Sequence, residues 1–320
     1  MRKSPWLTAL FIAPLIASLP AFAQSYPVRP IQVIVPFTAG NVIDVLARAF
    51  THELSIDFKQ PVTINNIGGA SGILAVNAAA NAKSDGYTLL FAPQGQLTIQ
   101  PHLRKDLGYK FDTFKPICQL FDNVFVIITA PKSPIRTFQN LVDRARAKPG
   151  ALTWATSGTA TVSDLQMSDL IDKLGLKLVH VPYRNYGQMI QDTAGGNFDF
   201  AVSSVGSFSA DTVHMVALLA DKRVPLFPDL VTIGELGYPV SLPGFSGLYA
   251  PATAPPEVLD RLSAVCPKIF ERPALQQMMK QVGVIPAYLP GDKFAARLAE
   301  DSKQKAQQIK AMGLDKMIPQ

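Results

Sequence analysis

The chain has 320 residues, a formal net charge of +6, and 48% hydrophobic against 17% charged residues. That length leaves room for two domains of ordinary size. The basic excess is scattered in pieces such as Arg144, Arg146 and Lys148, without interleaved aromatics, which excludes the dense cationic stripe of a nucleic-acid-binding protein.

The N-terminus carries the grammar of a secretory signal peptide. Arg2 and Lys3 precede an uncharged stretch from Trp6 to Phe22, and Ala21-Phe22-Ala23 stands before Gln24. A membrane anchor is the alternative, but Pro14 and Pro20 interrupt a stretch barely long enough to cross ~30 Å of hydrocarbon. Residues 1–23 are therefore expected to be cleaved, and the product to be periplasmic. Because the first 23 residues hold no acid, losing Arg2 and Lys3 lowers the net charge from +6 to +4. A weakly positive surface suits anionic ligands. Cys118 and Cys266 can pair in an oxidising compartment, and two buried free thiols satisfy the sequence equally.

Along the mature chain, short β-branched runs alternate with longer amphipathic stretches. Ile31 to Val35 reads as a strand. Ile43, Leu46, Ala47, Phe50 and Leu54 then recur at helical spacing. Val62-Thr63-Ile64, a glycine loop over Gly68 to Gly72, an alanine-rich helix to about Ala82 and a strand from Tyr87 to Phe91 complete a β-α-β-α-β unit. Val124 to Thr129 breaks the rhythm as a candidate crossover strand.

The alternation restarts with a strand at Leu152 to Ala155, a helix at Val162 to Leu174, and a strand at Leu178 to Val181. A helix at Met189 to Thr193 and strands at Phe198 to Val202 and Met215 to Ala220 follow. A proline-rich connection, Val224 to Pro243, leads to Phe245 to Ala250, and helices at Pro256 to Phe270 and Lys293 to about Met312 close the chain. This pattern predicts an α/β protein of two lobes: residues 24–125 plus 245–320, and residues 126–244. In parallel sheets, ligands sit outside the carboxyl ends of the strands.

Two strand–helix loops occupy such ends. In Pro36 to Asp44, Gly40 permits close backbone approach, Asn41 is a good N-cap, and Asp44 is an approximate capping-box partner that orders the loop. Ala155 to Asp164 concentrates hydroxyls and backbone donors around Gly158. Neither loop contains Arg or Lys, so free N–H groups and the positive helix ends are the implied means of holding an anion. The candidate ligand-binding residues are Phe37, Thr38, Ala39, Gly40, Asn41 and Asp44 from the first loop. Ser157, Gly158, Thr159, Ala160 and Thr161 come from the second. Phe37, Tyr183 and Tyr186 are candidates to wall an apolar ligand body, and Asp199 and Ser203, at a strand of the second lobe, to face the cleft.

The chain resembles the Bug-type, or tripartite tricarboxylate transporter, solute-binding receptors over nearly all of its mature length. The resemblance rests on ordered segments such as Tyr26 to Ile31 leading into Pro36-Phe37, Ser84 to Leu89, Phe114 to Ile117, Ala147 to Gly150, Thr156-Ser157-Gly158, His180 to Tyr183, Gly195-Gly196 before Phe198-Asp199, and Phe227-Pro228-Asp229. It implies a type II periplasmic-binding fold and a carboxylate gripped by the two loops. The chain departs from the family pattern in three places. Asn41 stands where a second glycine is usual, Tyr186 adds bulk after Arg184-Asn185, and Val240-Ser241-Leu242 lies within a commonly tight turn.

His52, His102, His180 and His214 are scattered, so no metal site is expected, and no cofactor. No G-x-S-x-G elbow or Walker loop occurs. The expected function is a monomeric periplasmic receptor for a small organic carboxylate (a di- or tricarboxylate, an amino acid or an aromatic acid), serving a membrane permease or a sensor. The alternative is a secreted hydrolase or isomerase working in the same cleft, for which the sequence supplies no convincing catalytic set.

Overall fold

The computed structural model describes residues 26–209, 211–238, 240 and 243–316. The signal-peptide segment lies outside the described residues.

The first half of the chain alternates as expected: β1 (Ile31–Val35), α1 (Val42–Phe58), β2 (Val62–Asn66), α2 (Ile73–Ala80) and β3 (Thr88–Pro93). Two single-turn helices, α3 (Gly95–Thr98) and α4 (Gln100–Leu103), then lead to β4 (Phe114–Asn123). One residue later the chain enters a second sheet as β5 (Phe125–Thr129). It continues through α5 (Phe138–Ala147), β6 (Thr153–Thr156), α6 (Val162–Lys173), β7 (Val179–Pro182), α7 (Tyr186–Gly195), β8 (Phe200–Ser204) and β9 (His214–Leu218). It returns as β10 (Gly244–Pro251) and ends with α8 (Pro256–Phe270), α9 (Pro273–Gln281), β11 (Ile285–Pro290) and α10 (Gly291–Ala311).

The first sheet has the order β11-β4-β10-β3-β1-β2 and the second β7-β6-β8-β5-β9. In the first, β1 pairs parallel with β2 and β3, while β10 runs antiparallel between β3 and β4. In the second, β6 pairs parallel with β7 and β8, while β5 runs antiparallel between β8 and β9. Each sheet thus receives one antiparallel strand just after the chain crosses from the other, and this is the two-lobed arrangement that the interrupted alternation predicts.

Strands covered by helices on both faces must be apolar throughout rather than alternating. The five residues of β5 and the eight of β10 are all buried. On α1 the helical repeat buries Leu46, Ala47, Phe50 and Leu54 against β1, β3 and β10, in a cluster with Val33, Phe91 and Leu248. Cys118 on β4 and Cys266 on α8 form a disulfide, resolving the choice that the sequence left open.

The last helix belongs to both halves. Phe294 and Leu298 pack with Phe245 and Tyr249 of the first sheet. Near its end, Ile309 joins a cluster that holds Ile99 and Leu103 of the α3–α4 segment together with Trp154 of the second sheet, and Gln308 donates to the Leu165 carbonyl at 3.1 Å.

Candidate functional site

The two helices that follow the central parallel strands begin in the same way. At the start of α1, Asn41 caps by accepting from the Ile43 N–H at 2.6 Å. Asp44, in the first turn, reaches back past the cap and accepts the Gly40 N–H at 2.9 Å. At the start of α6, Thr161 caps by accepting from the Asp164 N–H at 3.3 Å, and the Asp164 carboxylate accepts the Ala160 N–H at 2.6 Å. Both loops turn through a positive φ at the residue so held, +89° at Gly40 and +56° at Ala160. The carboxylates therefore pin the loops from behind. First-turn N–H groups such as those of Val42 and Val162 have no partner within their own helices, and each helix dipole favours negative charge there.

The two anchors differ electrostatically. Burial works to raise the Asp44 carboxyl, but hydrogen bonds from Arg48, the Gly40 N–H and Asn66 outweigh it and hold it below the ordinary carboxylate value. Asp164 is raised by burial, against the opposing pull of His180, the Ala160 N–H and Ser168. His180 is itself lowered by burial. Its Nε2 lies 3.7 Å from Asp164 and 2.8 Å from Thr156 Oγ1. The Thr156 hydroxyl donates to the Gly158 carbonyl at 3.0 Å. It therefore accepts from His180, which puts a proton on Nε2.

Both helix starts line one inner chamber of about 50 Å³ between the lobes, with Asn41, Val42 and Ile43 on one side and Ala160 to Ser163 on the other. A water needs on the order of 10–15 Å³ of such space, so the chamber takes a group of a few heavy atoms. Gln94, at the carboxyl end of β3, also lines it and is fully buried. Its Oε1 accepts from the Phe245 N–H at 2.9 Å. Since an N–H needs an acceptor, this bond fixes the amide orientation and leaves Nε2 a donor with no partner among the described residues.

An outer chamber of about 460 Å³ adjoins the inner one, bordered by Thr38, the Gly68 to Gly72 loop, Ser157 to Ala160 and Pro182 to Arg184. Two hydrogen bonds cross between the lobes around it. Ser71 Oγ donates to the Thr159 carbonyl at 2.9 Å, and Gln100 Nε2 to the Ala160 carbonyl at 3.1 Å.

Phe37, Asn41, Ser157, Ala160 and Thr161 line the inner chamber, and Thr38, Gly158, Thr159 and Tyr183 the outer one. The Tyr183 hydroxyl is committed to Asp192 at 2.7 Å. Ala39 and Gly40 are exposed and border neither chamber, and Asp44 lies behind its loop. Asp199 does not face the cleft. It precedes β8, at the opposite end of the strand, and its carboxylate accepts from the N–H and hydroxyl of Thr153 at the start of β6. Ser203 is fully buried beside the Tyr186 hydroxyl at 2.7 Å, and its neighbour Ser204 lines the inner chamber instead. Successive strand residues face opposite sides, so a strand that runs to Ser204 presents Ser204, not Ser203.

Sequence reasoning passed over Gln94, Gln96, Gln100 and Asn123, all inner-chamber residues. The three glutamines follow β3, a third parallel strand whose carboxyl end obeys the same rule as those of β1 and β6. Tyr186, which the sequence offers with Phe37 and Tyr183 as a wall of the cleft, lines both chambers.

Residues 46–314 match the model of the tripartite tricarboxylate transporter family receptor. The chain is 32% identical over 299 residues to a UPF0065 protein of Bordetella bronchiseptica, covering 91% of this chain and 89% of that protein. It is 27% identical over 312 residues to Protein BugT of Bordetella pertussis, covering 95% of each. The solved structure of the periplasmic binding protein BugD superposes with a TM-score of 0.84 at 28% identity, covering 90% of this chain and 99% of that one.

Proposed function

Because the chain belongs to the tripartite tricarboxylate transporter receptor family, we propose that it is a periplasmic solute-binding receptor that closes two lobes on a small organic carboxylate. The observation that carries this reading is the inner chamber shared by the starts of α1 and α6. Backbone amides at two helix starts, the Thr161 and Ser157 hydroxyls and the Gln94 amide replace the water shell of one carboxylate. Hydrogen bonds to a charged group contribute about 1.5–3 kcal/mol each, and the amides are already oriented before the ligand arrives.

In this reading residues 24–125 with 245–320 form one lobe and residues 126–244 the other. The ligand contacts come from Phe37, Thr38, Asn41, Ser157 to Thr161 and Tyr183, joined by Gln94. The leader is cleaved on export. The monomeric receptor then delivers its acid to a membrane permease of the tripartite type or presents it to a sensor. BugD, a periplasmic binding protein of the same fold at 28% identity, supports the binding role.

The test is a panel of mono-, di- and tricarboxylates, amino acids and aromatic acids, read by thermal shift and calorimetry. At least one acid should raise the unfolding temperature and bind with one-to-one stoichiometry, and be recovered chemically intact. A panel in which the corresponding neutral amides bind as tightly as the acids would overturn the reading.

A further inference from the structure

Resting on the reading of the inner chamber as a carboxylate site, we propose that Arg104 and Arg184 hold a second anionic group of the same ligand in the outer chamber, bridging the lobes. The two chambers are contiguous, sharing Phe37, Ser71, Gln100, Ser157, Ala160 and Tyr186 in their walls. A ligand seated by one end in the small chamber extends its other end into the large one. The outer wall contains Arg104 and Arg184 and no Asp or Glu.

The arginines come from opposite lobes. Arg104 follows α4, on the chain segment between β3 and β4, and Arg184 follows β7. Neither takes part in an ion pair among the described residues. Arg104 is half-buried, and its Nε is buried with no hydrogen-bond partner among the described residues. An unpaired guanidinium donor removed from water carries an uncompensated desolvation cost. A carboxylate supplies the matching planar acceptor.

Two cations on one chamber wall repel each other as the lobes approach, and an anion between them reverses the sign of that term. The pair therefore selects for a ligand with two anionic ends, and couples that selection to closure. The inner chamber holds one end by amides and hydroxyls without a cation; the outer holds the other by charge.

The experiment is calorimetric titration of the parent, R104Q and R184Q with succinate, glutarate and adipate, and with the monocarboxylates of equal chain length. Thermal unfolding of each variant without ligand accompanies it. The proposal predicts that the parent binds its best dicarboxylate roughly tenfold or more tighter than the matching monocarboxylate. Each substitution should remove most of that preference while leaving monocarboxylate affinity within about twofold of the parent's. Arg184 is exposed, so R184Q gives this readout even if R104Q unfolds. Equal binding of mono- and dicarboxylates by the parent, or dicarboxylate affinity unchanged in R184Q and in a folded R104Q, would overturn this inference and leave the receptor reading intact. Failure of the parent to bind any carboxylate would overturn both.

Discussion

The carboxylate of Asp164 accepts a hydrogen bond from the backbone N–H of Ala160, four residues upstream, at 2.6 Å. Asp44 does the same to Gly40 at 2.9 Å in the other lobe. Replacing Asp164 by Ala strands the Ala160 N–H, whose residue is 3% exposed. An unsatisfied buried donor costs about 1–3 kcal/mol. Asp164→Ala should lower the free energy of unfolding by that amount in urea titration and also weaken ligand binding. A variant as stable as the parent would show that the loop does not depend on this anchor.

Ser157 borders both chambers, and Thr159 borders the outer one. Ser157→Ala and Thr159→Ala each remove a hydroxyl and leave the backbone bonds of the loop in place. Ser157→Ala should cost about 1 kcal/mol of binding, roughly fivefold in affinity, and Thr159→Ala no more than that. Unfolding midpoints should stay unchanged. Unaltered calorimetric affinity in both variants would remove the second loop's hydroxyls from the site.

Gln94 offers a cleaner substitution. Gln94→Glu keeps an oxygen for the Phe245 N–H but replaces the unpartnered donor with a second acceptor carrying charge. Acid binding should fall by more than tenfold, about 1.4 kcal/mol or more. Retained affinity for acids near neutral pH would place the ligand carboxylate away from this amide.

The two loops were legible in the sequence because helix capping is local chemistry. Asn41 with Asp44, and Thr161 with Asp164, announce their helices within four residues. What escaped depends on distances that the sequence does not carry. Cys118 and Cys266 lie 148 residues apart, and only the packing of α8 on β4 pairs them. α9 and β11 went unread because Pro273, Pro286 and Pro290 punctuate a short polar helix and an edge strand whose residues are only partly buried. Displacing β8 by two residues was enough to name Ser203 in place of Ser204 and to turn Asp199 toward the wrong end. Nothing local in the sequence marks Arg104 or Arg184 as facing a cleft; only the fold sets them on one chamber.

Burial holds the His180 imidazole below its ordinary value, with Asp164 opposing. The unfolded chain therefore takes up this proton first as pH falls. The stability involved is present above the unfolded histidine value of about 6.5 and declines as pH drops through it. His102, also lowered by burial, acts with the same sign. Asp164, raised by burial, acts with the opposite sign at more acid pH. His180→Asn should show a shallower fall in Tm than the parent between about pH 7 and 5.5. Parallel profiles would contradict the buried neutral imidazole.

Reduction of the disulfide opens a loop of 148 residues. The loop-entropy model assigns up to about 5 kcal/mol to a closure of that length, and native disulfides typically contribute about 2–4. Guanidinium unfolding with and without reductant should show a loss in that range, and coincident curves would contradict it.

The most direct measurement is a crystal structure of the protein grown with the tightest-binding acid of the panel. The account predicts one ligand carboxylate in the inner chamber, with its oxygens about 3 Å from first-turn N–H groups of both α1 and α6 and from the Gln94 amide. A carboxylate held elsewhere, touching neither helix start, would contradict it.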